Sequence, residues 1–323
     1  MTAETLGLAG FHDYEPTTED FGAALIAGLA RPQKDIPCKF FYDSVGSALF
    51  ERICELPEYY PTRTETALLE SHRDEITAEL GDHRHLVELG SGAVQKVRIL
   101  LQAMHPAAYT AVDISREHLL QSTAALAADH PELEIHAVCA DYTQPFDLPD
   151  VSAVPGAVPM VFFPGSTIGN FAPAEAETFL RRTAALIGDG DLLIGVDLKK
   201  DAAILNAAYD DSEGVTAQFN LNLLARANRE LDANFDLAAF AHKAFYNDGA
   251  GRIEMHLVSR ARQTVRIGGI EVAFAEGETI HTENSYKYTV TEFQALAGRA
   301  GFKASRAWVD GDNLFSIHRM STH

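Results

Sequence analysis

The segment His85-Leu86-Val87-Glu88-Leu89-Gly90-Ser91-Gly92 holds the plainest chemistry in this chain of 323 residues. It reads as a short buried strand that breaks into a glycine turn, with a carboxylate two residues before the first glycine. A helical pattern follows over 94–104, VQKVRILLQAM. Strand, glycine turn and helix begin a nucleotide-binding βαβ unit, in which bare backbone lets a ligand approach closely. A pyrophosphate cradle wants G-x-G-x-x-G, and Gln95 stands at the third glycine. That departure disfavours a nicotinamide cofactor. It suits a ligand with an adenosine and an amino-acid tail but no phosphate, which is S-adenosylmethionine.

Further polar residues follow at the ends of successive candidate strands, where open α/β sheets bind ligands. Asp113 is placed to accept both ribose hydroxyls. Asp141 is placed to accept the adenine amino group, with the backbone N–H of Tyr142 facing the ring. Either Asp alone would ordinarily be a turn or cap residue; their order after Gly90 carries the cofactor reading. Lys96 stands early in the helix, either within reach of the methionine carboxylate or simply solvated. Gly165-Ser166-Thr167-Ile168-Gly169-Asn170 follows the fourth strand, and an Asn there can accept from an incoming amine and orient its lone pair. The sulfonium is already activated, so methyl transfer asks mainly for positioning once the amine has lost a proton. No motif identifies the proton acceptor, and His83 and His85 read as structural.

The elements that must hold these residues alternate. Strand candidates are 86–89, 109–113, 134–139, 160–163 and 192–197, and helix candidates are 94–104, 116–129 and 174–187. The spacing predicts an α/β fold with a doubly wound, mainly parallel Rossmann-like sheet. A helix over 290–300 and a hairpin of 304–309 with 313–319 would end it antiparallel, the usual shape of class I methyltransferases. Before this unit, 20–29 reads as an amphipathic helix, and 64–79 as another, capped by Thr62 or Thr64. Between 201 and 286 the rhythm breaks into helices (201–208, 215–231) and alternating strand patterns (252–260, 263–274). We expect 64–200 plus 287–323 to bind the cofactor, and 12–63 plus 201–286 to form an inserted α+β substrate domain.

Composition narrows the partners. A net charge of −20 without a long Lys/Arg run disfavours nucleic acid and favours a small molecule. No apolar run reaches membrane-spanning length, no secretory signal opens the chain, and three scattered cysteines form neither a disulfide framework nor a metal site. A cytoplasmic protein with no metal and no obligate protein partner, possibly a monomer, is the expectation.

The blocks PEYYPTRTE (57–65), ELGSG (88–92) with Lys96, GSTIGNF (165–171) and TENSYKY (282–288) together resemble the histidine-specific Nα-methyltransferases of ergothioneine biosynthesis, from about residue 14 to the C-terminus. The resemblance implies trimethylation of the α-amine of free L-histidine to hercynine. It also implies that Tyr59 and Tyr209 hold the substrate carboxylate, that Asn170 in the Gly165 loop holds the amine, and that Glu283 and Ser285 grip the imidazole edge. It implies further that Tyr42 and Met255 line the pocket; Asn170 and Tyr42 are the expected catalytic residues, with the Tyr42 and Phe50 ring faces available to the growing cation. A carboxylate and a hydroxyl two residues apart on an extended segment share a face, so Glu283 and Ser285 can meet both ring nitrogens. A tryptophan derivative, whose indole has one N–H and no acceptor, is the rival substrate; a noncatalytic cofactor-binding protein is the rival class. Ala93 and Val94 stand where the family has small polar residues, which bears on cofactor affinity.

Overall fold

Residues buried on both sides make the central layer. The computed structural model describes residues 6–16, 19–80, 83–92 and 95–323. Its first third carries β1 (Gly10–Asp13), α1 (Phe21–Leu29), β2 (Lys34–Asp35), α2 (Ser44–Glu55), α3 (Tyr60–Leu80), β3 (His85–Leu89) and α4 (Gln95–Met104). Then come β4 (Ala108–Asp113), α5 (Arg116–Asp129), β5 (Glu134–Cys139), β6 (Pro159–Phe163), α6 (Pro173–Ile187) and β7 (Asp191–Asp197). The remainder is α7 (Ala202–Tyr209), α8 (Val215–Leu231), β8 (Phe240–Asn247), β9 (Arg252–Ser259), β10 (Gln263–Ile267), β11 (Ile270–Phe274), β12 (Thr279–Tyr286), α9 (Val290–Arg299), β13 (Lys303–Val309) and β14 (Phe315–Ser321).

Eight strands form one sheet in the order β1-β5-β4-β3-β6-β7-β14-β13, parallel except where β14 pairs antiparallel with β7 and β13. Alternate residues of each inner strand feed two cores. Leu86, Tyr109, Ile135 and Phe162 pack beneath α3, α4 and α5, while Val87, Val112, Val161 and Ile194 pack beneath α6 and α9. Burial on both faces is what a parallel sheet requires. The reversal of strand order between β3 and β6 puts a crevice at their carboxyl ends. This is the doubly wound, mainly parallel Rossmann-like sheet, with its last two strands antiparallel. The edge strand β1 lies at residues 10–13, ahead of the span expected to form this unit, and is too short to read from its sequence.

A second sheet, β2-β12-β9-β8, with the hairpin β10–β11, packs over α1, α2, α7 and α8 around a separate core that includes Phe41, Phe219, Leu257 and Phe274. Fully burying each such side chain stabilises by roughly 1.5–3 kcal/mol, so this layer has a core of its own. The pattern at 263–274, expected as a strand run, is two strands turning at Gly268-Gly269, both at positive φ.

Helix starts follow local chemistry. The Asp20, Asp43 and Asp201 side chains accept from Ala23, Gly46 and Ala203 N–H groups at 2.7 Å each. At α3 the expectation fails. The helix begins at Tyr60, not Thr64, because Pro61 is well tolerated in a first turn. Neither Thr62 nor Thr64 is its cap; Thr62 Oγ1 lies inside the helix and donates to Cys54 Sγ at 3.3 Å. Tyr59 therefore stands just before a long helix that runs under the sheet. Ala93 and Val94 lie outside the described residues.

Candidate active site

The glycine turn sits where β3 leaves the sheet. Gly90 has φ of +76°, a left-handed conformation that favours glycine. A Cβ on it would come within 3.6 Å of the Tyr142 ring, so Tyr142 walls the turn. A Cβ on Gly92 would meet none of the described residues within 4 Å. Asp113 Oδ1 accepts from Ser115 N–H at 2.8 Å, and Asp141 Oδ1 accepts from Thr143 N–H at 2.9 Å and its hydroxyl at 2.6 Å. Each Asp thus performs the turn role with one oxygen, and a carboxylate has a second oxygen to offer a ligand. Burial raises the Asp113 pKa above its ordinary value. Ile114, 40% exposed and next to Asp113, adds apolar surface at the same edge. Two carboxylates, an aromatic wall and an apolar side chain fit an adenosine.

Behind the cleft lies a contact that sequence reading missed. Glu65 is 1% exposed. Its two oxygens accept from Gly165 N–H at 3.0 and 2.9 Å, and Lys96 Nζ is ion-paired to it. The ammonium of Lys96 therefore meets Glu65 directly, with its other N–H groups left for a cofactor carboxylate. Gly195 of β7 makes room, since a Cβ there would lie 1.9 Å from Glu65 Oε1. Glu65 ties α3, α4 and the 165–170 loop together, and its signal in the sequence was only membership of the PEYYPTRTE block.

That loop is held from two more sides. Ser166, at φ +53°, accepts from Asp197 N–H at 2.9 Å through its Oγ. Gly169 backs onto β12, where a Cβ would sit 2.7 Å from Tyr286 O and 3.5 Å from Ser285 Oγ. Asn170, half-buried, ends the 3₁₀ turn Thr167–Asn170 and so lies beside the Ser285 strand.

The other wall belongs to the second sheet. Glu283 pairs across strands with Met255, and Ser285 with Ile253, which puts all four on one face. A register shift between His281 and Glu283 accommodates Thr282, whose Oγ1 donates to Asn220 Oδ1 on α8 at 2.8 Å. Tyr209 ends α7, and its hydroxyl lies 2.9 Å from Ser285 Oγ. Tyr59 meets Tyr209 edge-on at 6.2 Å between centroids and Phe50 at 6.1 Å. Tyr42 meets Phe50 at 5.6 Å and Phe219 at 5.8 Å. These rings and Glu283 stand together as the candidate substrate pocket, with Tyr42, 50% exposed, at its solvent side.

The pocket has two electrical ends. Burial pushes Glu283 up to about 7, against the pull of Lys287. Half of Tyr42 is open to solvent, yet crowding by the surrounding chain, and then Glu283, raise its phenol above the ordinary value. Opposite, Lys287 Nζ contacts Tyr209 Oη, Ser285 Oγ and Asp197 Oδ2 at 3.0, 2.9 and 2.5 Å. Among the described residues, Glu254, His256 and His281 also bring possible metal-ligand atoms within 4.8 Å of one another. They lie on the strand face opposite Met255, and Arg252, Asn247 and His256 already donate to Glu254. That cluster is a hydrogen-bonded ion-pair network.

A family model described as histidine-specific methyltransferase, SAM-dependent, matches residues 21–322. The histidine N-alpha-methyltransferase of Mycolicibacterium smegmatis is 43% identical over 321 residues, covering 97% of this chain and 98% of that protein. That of Mycobacterium tuberculosis is 41% identical over 299 residues, covering 90% and 91%. Ergothioneine biosynthesis protein 1 of Neurospora crassa is 30% identical over 307 residues, covering 92% of this chain and 34% of that longer protein. With that model matched over most of its length and a relative 43% identical across nearly all of both proteins, this chain belongs to the S-adenosylmethionine-dependent histidine-specific methyltransferase family.

Proposed function

We propose that this chain methylates the α-amine of free L-histidine three times, to the trimethylammonium betaine hercynine, in the formation of ergothioneine. The observation that carries the reading is the polarity of one pocket, with Glu283 on the same strand face as Ser285 and Lys287 behind Ser285 and Tyr209. Histidine is an amino acid with an N–H-bearing ring at one end and a carboxylate at the other, and it complements both. An indole would leave Glu283 without a two-sided partner, an unmade buried bond of the kind that discriminates most strongly.

Bound S-adenosylmethionine supplies the activated methyl, with Gly90, Asp113, Asp141, Tyr142 and Lys96 holding the donor. Tyr59 and Tyr209 take the carboxylate. Asn170 offers its amide oxygen to the amine and sets the direction of its lone pair. Tyr42, a neutral phenol, presents an oxygen lone pair to an N–H and a ring face to the growing cation. In this reading 64–200 with 287–323, joined by β1 at Gly10–Asp13, hold the donor, and the rest of 12–63 with 201–286 chooses the amine. The cytoplasm and a monomeric state belong to the same proposal, on the net charge of −20 and the free Cys38, Cys54 and Cys139.

The test is a panel of free amino acids with labelled donor, followed by mass analysis of the product. Histidine should gain three methyls; labelling of tryptophan in preference to histidine would overturn the reading. On the donor side, Asp113→Ala should weaken cofactor binding about 100-fold, the scale of two hydrogen bonds to an ionised group, while histidine affinity changes little. Calorimetry returning wild-type cofactor affinity would remove Asp113 from the ribose.

A further inference from the structure

A lysine lies where the sequence would put a surface residue. Lys287 follows β12 directly and is 2% exposed. An ammonium has three donors and no acceptor. Asp197 Oδ2 at 2.5 Å, Ser285 Oγ at 2.9 Å and Tyr209 Oη at 3.0 Å account for all three. Both hydroxyl oxygens therefore receive from Lys287. They lie 2.9 Å apart, so in the empty pocket the Tyr209 hydroxyl donates to Ser285 Oγ; breaking that one bond on binding leaves each hydroxyl a proton to donate to a ligand.

The support behind this lysine is equally buried. Asp197 ends β7 and also accepts from Lys200 Nζ at 2.5 Å and from the Tyr60 hydroxyl at 2.7 and 2.9 Å. Burial opposes ionisation of Asp197, yet Lys287 and Lys200 hold its carboxyl below the ordinary range. One carboxylate set against two ammoniums leaves a net positive charge behind the Tyr209 and Ser285 hydroxyls. A buried surplus charge is costly until an opposite charge arrives. The free amino acid has one such charge to bring.

We propose that Lys287 is a positioning residue for the methyl acceptor: with Asp197 and Lys200 behind it, it turns both hydroxyls into donors, Tyr209 towards the acceptor's carboxylate and Ser285 towards its ring. The inference rests on the assignment of Tyr209 to the substrate carboxylate and names what gives that hydroxyl its polarity. It also fixes how the ring is read. Ser285, already receiving from Lys287, donates to whatever it meets, so the imidazole must turn its acceptor nitrogen to Ser285 and its N–H to Glu283.

The experiment deletes the charge on each side of the contact in turn. Histidine and histamine share the ring and the amine and differ by the carboxylate. Their affinities are measured by calorimetry on the full chain saturated with S-adenosylhomocysteine, for the wild type and for Lys287→Met. The wild type should prefer histidine by more than about 10-fold. Lys287→Met should weaken histidine by about 10- to 100-fold and histamine by less than about threefold, and in turnover the loss should fall on KM, not kcat. A purely structural lysine would weaken both ligands alike, and that result, or no loss at all, overturns the proposal. Wild-type protein that binds histamine as tightly as histidine overturns it without any variant, should Lys287→Met not fold. Tyr209→Phe separates the two levels. If it leaves histidine affinity unchanged, the carboxylate seat itself is misplaced; if it weakens histidine while Lys287→Met does not, the seat stands and the role of Lys287 falls.

Discussion

Glu283→Ala raises the KM for histidine on the order of 10³-fold and leaves cofactor affinity at the wild-type level. The size follows from what the substitution strands. The carboxylate shares a strand face with Met255 and Ser285. In the variant an imidazole N–H would be buried against a methyl group, losing a charge-assisted hydrogen bond and gaining an unsatisfied donor. Steady-state kinetics with calorimetry on S-adenosylhomocysteine decide the matter, and an unchanged KM would sink the role assigned to Glu283.

The same carboxylate makes the apo-protein's stability depend on pH in a definite direction. Cys38, Tyr42, Tyr59, Tyr209 and Lys287 surround it, and only the lysine favours its ionised form. Its folded-state value, about 7, stands above the roughly 4.3 of an unfolded chain. Glu283 therefore supports the fold fully below pH ~4, and that support is lost as pH rises through about 7. At pH 8 the fold carries an ionised carboxylate in a half-closed pocket. Glu283→Gln removes that charge, so it should be the more stable protein at pH 8 by ~1–3 kcal/mol, with the gap closing towards pH ~4. Histidine offsets the same cost on binding, and denaturant melts at the two pH values with and without it would show both effects.

Much of the donor half was legible because its signals are local. Leu86 to Leu89 and Leu192 to Asp197 are mostly apolar, broken only by Glu88 and ended by Asp197, and are buried at every position, as strands covered on both faces must be. Gly90, Asp113 and Asp141 come in chain order because each follows a strand of the same sheet. The acceptor half was less legible. Phe240–Asn247 carries His242 and Lys243 in a half-covered strand, and it declares itself only once β9 is beside it. Glu65 meets Gly165 across 100 residues of chain, a contact that no local pattern encodes. Lys287 was the hardest to foresee. Lysine is almost never fully buried without a partner, and Asp197, which makes the burial tolerable, sits in a different sheet. The resemblance carried Glu283 and Ser285; packing alone brought out the lysine behind them.

Asn170→Ala is expected to lower kcat about 100-fold with little change in cofactor affinity and a smaller change in the KM for histidine. The reason lies in how firmly the loop is built. Glu65 holds Gly165, Ser166 is tied to Asp197, and Gly169 lies against the backbone of Tyr286. Three anchors in five residues amount to preorganisation: the amide is placed before substrate arrives, so its contribution falls on the orientation of the amine lone pair and not on capture. Gly169→Val should reproduce the kcat loss without touching Asn170, because its side chain must displace either the loop or β12 from a 2.7 Å approach. If Asn170→Ala instead raised KM and spared kcat, the amide would be a binding group for the ground state. Rapid-quench measurement of the first methyl transfer separates the two, since only a fault in orientation slows the step at saturating histidine and cofactor.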